Sequence, residues 1–188
     1  GNGALEGVLT AAPCTVSEAS ATSGLLAEYF DNAGISYNSS LMPDLSGREP
    51  DYWRGEANID YPDTQSAWAG LDSRFADYWS VRHSGAITIP TAGNWTFYLN
   101  SDDGTKLWLD EVEVVNNQAI HAMSEASGTT WLEAGDHALR TEFFEHGGSA
   151  GFILSWEGPA QTKQVVPASA FTRGVSAPAA QSDLIHHW

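Results

Sequence analysis

Between residues 94 and 109 the chain alternates apolar and polar side chains on both sides of a two-carboxylate turn, a pattern that no helix satisfies. Trp95, Phe97 and Leu99 recur with period two ahead of Ser101-Asp102-Asp103-Gly104, and Lys106-Leu107-Trp108-Leu109 resumes behind it as a returning strand. Neighbouring side chains on a strand point to opposite faces. Asp102 and Asp103 can therefore address one ligand only if the backbone between them leaves extended geometry. A hard cation would reward that departure.

The same alternation recurs along the chain. Residues 24–30 read as a strand closed by Asp31-Asn32-Ala33-Gly34, and Trp79 and Val81 alternate with Ser80 and Arg82. Residues 86–90 continue that strand, and further β segments are expected at 112–115, 129–132, 137–144 and 152–156, each bounded by Gly, Asn or Asp. Residues 35–72, interrupted by Pro43, Pro50 and Pro62, sustain neither period and are expected to form a long irregular segment carrying Trp53 and Trp68. Short strands at intervals of about 8 to 12 residues mean a sandwich or a barrel. Little helix is expected, because no window longer than two turns carries an apolar stripe.

A chain of 188 residues with 42% hydrophobic content can bury the core of one domain. With 8 Lys and Arg against 24 Asp and Glu, its formal charge of -16 repels phosphate backbones and anionic lipid, which excludes nucleic acid as a partner class. Cys14 is the single cysteine and forms no internal disulfide. No apolar run approaches the roughly 18 residues that span a bilayer, so no membrane insertion is expected, and residues 1–10 lack the regions of a signal peptide. A fragment cut from a larger secreted protein has this character. The expected division is residues 1–23 as a linker or added edge segment, 24–172 as the domain, and 173–188 as a tail that docks through Leu184, Ile185 and Trp188.

Seven blocks resemble the PA14 domain family in order and spacing. They are residues 24–30, Tyr78-Trp79-Ser80-Val81-Arg82, residues 90–97, residues 101–110, Leu132-Glu133-Ala134-Gly135-Asp136-His137, Glu142-Phe143-Phe144-Glu145 and residues 150–156. The resemblance covers about Gly24 to Phe171. It implies an all-β fold, a two-sheet antiparallel β-sandwich with long loops, found in secreted glycosidases, adhesins and toxins and often serving as a carbohydrate-binding module. It implies no catalysis. In lectin-like members a cis peptide joins the Asp-Asp pair, which binds Ca²⁺, and the ion's open positions take two neighbouring sugar hydroxyls. Asp102 and Asp103 match that motif. The partner so implied is a glycan with vicinal hydroxyls, bound by a monomeric domain of a secreted, extracellular or cell-surface protein.

In the family a second loop completes the calcium site, and by position it is Glu145-His146-Gly147-Gly148-Ser149-Ala150 here. This loop departs from the family pattern, since sugar-binding relatives carry Asn, Gln or Asp side chains where this chain offers His146 and Ser149. Imidazole is a poor calcium ligand. The expected metal ligands are thus Asp102, Asp103, the carbonyls of His146 and Gly147, and Ser149 Oγ, with Gly148 lining the sugar side.

Three other constellations compete. Gly147-Gly148-Ser149-Ala150-Gly151 fits the nucleophile pattern of α/β-hydrolases, with Asp183 and His186 following in the right order. That motif needs a helix directly after Ser149, where a strand is expected. His83, His121 and His137 have no zinc spacing and read as satisfied polar residues. Trp53, Trp68 and Trp131 could stack on sugars, but core packing is the expected role in a sandwich with 8 Trp. A structural spacer of the same fold, without metal or sugar, is the alternative to the lectin-like reading.

Overall fold

A computed structural model describes residues 22–35 and 42–174. Its strands are β1 (Thr22–Ser23), β2 (Leu25–Asp31), β3 (Tyr52–Glu56), β4 (Asp60–Thr64), β5 (Trp79–Ile89), β6 (Gly93–Asp102), β7 (Thr105–Leu109), β8 (Val112–Asn117), β9 (Ser124–Leu132), β10 (Gly135–Glu145), β11 (Ala150–Gly158), β12 (Gln161–Val165) and β13 (Phe171–Arg173). Helical structure among the described residues is limited to two short 3-10 turns, Ser73–Phe75 and Ala168–Ala170, so no helix there is long enough to cross a membrane.

Two antiparallel sheets form the sandwich that the resemblance implies. The larger sheet is built around β5, which pairs with β10 along one edge and is shared by β2 and β13 on the other; β7 and β8 extend the sheet beyond β10. In the smaller sheet β11 pairs with β6, β6 with β9, and the outer edge of β11 is shared by β4 and β12. Alternation then fills the space between: Trp79, Val81, Leu107 and Phe143 from one sheet meet Trp95, Leu99, Phe152 and Leu154 from the other. Phe143 and Phe152 stack across the seam with centroids 5.8 Å apart. Each such fully buried apolar side chain contributes about 1.5–3 kcal/mol of transfer free energy.

A polar cluster around Glu56 is buried in this core. Glu56 accepts the Tyr29 hydroxyl and the Arg54 Nε–H at 2.8 Å, and lies 2.9 Å from His83 Nε2. His83 Nδ1 in turn is 3.0 Å from Thr141 Oγ1, so His83 is a satisfied core residue.

Three expectations need correction. The returning strand does not come back alongside the one ahead of the Asp-Asp turn: β6 belongs to the smaller sheet and β7 to the larger, so the turn carries the chain from one layer to the other. Residues 35–72 contain β3 and β4, edge strands whose half-exposed faces give no clean alternation to read. Trp131 is not a core residue; it lies opposite Asn94 and is 56% exposed, whereas Trp68 is buried and stacks on Tyr61 at 3.9 Å. Residues 1–21 and 175–188 lie outside the described residues, with most of the linker, the docking tail, Asp183 and His186.

Candidate functional site

The site lies where three strand ends meet. β6 ends at Asp102, β10 ends at Glu145, and the pairing of Gly151 with Asp102 sets the intervening loop, residues 146–149, beside the Asp pair. The Asp102–Asp103 peptide is cis, as the resemblance implies. Gly104 follows because nothing larger fits: a Cβ there would stand 2.4 Å from Phe144 Cε1 and 2.9 Å from the Ala119 carbonyl oxygen.

Each carboxylate is held differently. Asp103 is buried, and its Oδ1 and Oδ2 accept the backbone N–H groups of His121 at 2.8 Å and His146 at 2.9 Å. Glu145 continues the inward set of Thr141 and Phe143 on β10, opposite Trp79, and is fully buried. Its Oε1 accepts the Gly147 N–H, while its Oε2 has no hydrogen-bond partner. Carboxylate oxygens of Asp102, Asp103 and Glu145 lie within 4.8 Å of one another.

The electrostatics follow from that crowding. Burial, then the adjacent Asp103 and Asp63, push the Asp102 carboxyl up to about 6. Burial raises Asp103 as well, against the backbone N–H groups that favour its charged form. Glu145 is pushed up to about 9, by burial first and by Asp103 second. Three carboxyls thus share a site with too little positive charge to ionise them all.

The donor set fits a hard divalent cation. All three groups offer oxygen, and a spread of 4.8 Å is about twice a Ca–O distance of about 2.4 Å, so one ion can reach an oxygen of each. Glu145 Oε2, buried and unpartnered, is the oxygen such an ion would satisfy.

The loop expected to complete the site lies beside the carboxylates. His146 and Gly147 present N–H groups to Asp103 and Glu145, and Gly148 donates to Asp77 Oδ1 at 3.0 Å. Gly147 and Gly148 have φ of 152° and 115°, which glycine adopts without penalty. Ser149 is partly buried and leads directly into β11, so no elbow helix follows it. Sequence reasoning missed Glu145, Asp77 and the main-chain role of His121. The usable signal for Glu145 was alternation, since Thr141, Phe143 and Glu145 share one face of a strand.

The family model for the PA14 domain matches residues 21–170. The anti-sigma-I factor RsgI3 of Acetivibrio thermocellus is 29% identical over 148 residues, 78% of this chain and 21% of that protein. Among solved structures, an anti-sigma factor domain-containing protein is 26% identical with a TM-score of 0.69, covering 85% of this chain and 50% of that one. The PA14 sugar-binding domain from an RTX adhesin has a TM-score of 0.67 at 19% identity, covering 81% of this chain and 99% of that domain. The chain thus spans half or less of the anti-sigma proteins it matches, and with the family model covering both sheets and the carboxylate site, it belongs to the PA14 domain family.

Proposed function

We propose that this domain is a non-catalytic, Ca²⁺-dependent carbohydrate-binding module of an extracellular or cell-surface protein. The observation that carries the reading is Glu145 Oε2, a buried and unpartnered oxygen of a carboxylate that lies within 4.8 Å of the Asp pair. Asp102, Asp103 and Glu145 would hold the ion, which when bound supplies open positions for two vicinal sugar hydroxyls. The backbone N–H groups of His121 and His146 fix Asp103 in place, so that this carboxylate is oriented before any ligand arrives. His146, Gly147, Gly148 and Ser149 line the approach and select among sugars. A monosaccharide offers few atoms to bury, so dissociation constants are on the order of millimolar and avidity comes from repetition. The partial spans shared with larger anti-sigma proteins support a module carried by a longer host, and an adhesin or a glycosidase is a host of the same kind.

A glycan array run with and without EDTA tests this. Binding lost on chelation and in Asp103→Ala supports it. Binding that survives both moves the sugar site elsewhere, and no binding to any glycan leaves the structural spacer.

A further inference from the structure

Tyr78 is held in a left-handed backbone conformation. Its φ is 57°, a left-handed value uncommon for a bulky residue. The backbone is pinned there: the Tyr78 carbonyl accepts the Asn32 N–H at 2.7 Å, and Asn32 is fully buried, donating from Nδ2 to Ser80 Oγ and accepting from Arg48 Nη1, each at 2.7 Å. The residue remains 45% exposed.

The ring packs against the loop beside the carboxylate site. It meets the His146 imidazole edge-on, with centroids 5.3 Å apart and planes at 70°. His146 is the residue whose N–H holds Asp103, and a Cβ on Gly147 would lie 3.7 Å from Tyr78 Oη. Asp77, next to Tyr78, accepts the Gly148 N–H, which ties the tyrosine turn to the same loop. A half-exposed aromatic residue therefore stands against the loop that flanks the carboxylate cluster, with its backbone held by the Asn32 hydrogen bond.

We propose that Tyr78, backed by His146, is the stacking wall for the sugar, so that the site takes pyranoses that present a contiguous C–H face beside their vicinal hydroxyl pair. This rests on the function proposed above. Pyranoses carry polar edges and an apolar C–H face, and a fixed aromatic ring accepts that face without losing conformational freedom on binding. The carboxylate-held ion would fix two hydroxyls, and the ring discriminates by what lies next to them, which hydroxyl recognition alone does not do.

The test separates the wall from the metal. Calcium is titrated calorimetrically into wild type, Tyr78→Phe and Tyr78→Ala, and the best monosaccharide from an array is then titrated into each in saturating calcium. Tyr78→Phe should bind the sugar within about twofold of wild type; Tyr78→Ala should lose about tenfold in sugar affinity while its calcium affinity stays within about twofold. Saturation-transfer NMR should show magnetisation passing from aromatic protons to sugar C–H protons in wild type and Tyr78→Phe but not in Tyr78→Ala. Wild-type sugar affinity in Tyr78→Ala overturns the wall. So does a parallel loss of calcium and sugar affinity in that variant, which would make Tyr78 a support for the metal loop. Wild type that binds calcium but no sugar overturns the proposed function itself, before any variant is made.

Discussion

Glu145 brings a carboxylate oxygen within 4.8 Å of one on Asp103, although Glu145 ends a strand of the larger sheet and Asp103 lies in the turn that leaves the smaller one. The contact exists because the Asp-Asp turn crosses between layers at the point where β10 ends. Fold and site are one feature: the crossing that closes this end of the sandwich also gathers its buried acids.

The crossing leaves no space beside Gly104. Gly104→Ala should lower stability by about 1–3 kcal/mol, because the added Cβ meets the Phe144 ring and the Ala119 carbonyl. A urea midpoint shifted downward at unchanged slope is the expected outcome, and an unchanged midpoint would mean that the 118–121 loop moves aside freely.

The buried Glu56 cluster sets an acid limit. Burial raises the Glu56 carboxyl, but hydrogen bonding and charge from His83, with the Tyr29 hydroxyl, outweigh it and hold the group down at about 2. A depressed carboxylate contributes stability that is present above its unfolded value of 4.5 and lost as pH falls toward 2. Thermal melts between pH 5 and 2 should therefore drop steeply in wild type and less steeply in Glu56→Gln. That variant should also be less stable at pH 7 by about 3 kcal/mol, since Arg54 and His83 lose their partner.

Ser149→Ala should change no hydrolytic rate. Ser149 precedes a strand, and the geometry of a nucleophile elbow is not formed there. Burst release of nitrophenol from an activated ester, abolished by the substitution, would contradict this.

Trp131 is the exposed aromatic that could mislead a search for the sugar site. It stands on the outer face of β9, at the Asn94 end, whereas the carboxylates lie at the Asp102 end of β6. Trp131→Ala should leave calcium-dependent glycan binding within about twofold of wild type. A loss beyond tenfold on the array would relocate the site to this sheet face.

What the sequence disclosed, and what it did not, follows from the range of its signals. Residues 94–109 announced two strands and a turn because alternation is local, but strand partners are not, so nothing in them told that β6 and the returning β7 each pair elsewhere. β3 and β4 were hidden for the opposite reason: at sheet edges both faces are partly wet and alternation fades. Asp102 and Asp103 were legible as a pair with a matching motif. Glu145 was not, because an acid at the end of an inward-facing row looks like the start of a polar loop until the crossing turn is placed against it. Tyr78 was visible only as part of a motif block, since no pattern reports a left-handed backbone at a tyrosine.

We propose that Asp102, Asp103 and Glu145 form one cation site. This is tested most directly by calorimetric titration of Ca²⁺ into chelator-treated wild type and Glu145→Gln, with thermal melts of both. Wild type should bind one ion and melt higher in saturating calcium by mass action, and Glu145→Gln should lose both the heat and the shift. No heat of binding in wild type and a melting temperature that calcium leaves unchanged would contradict the account.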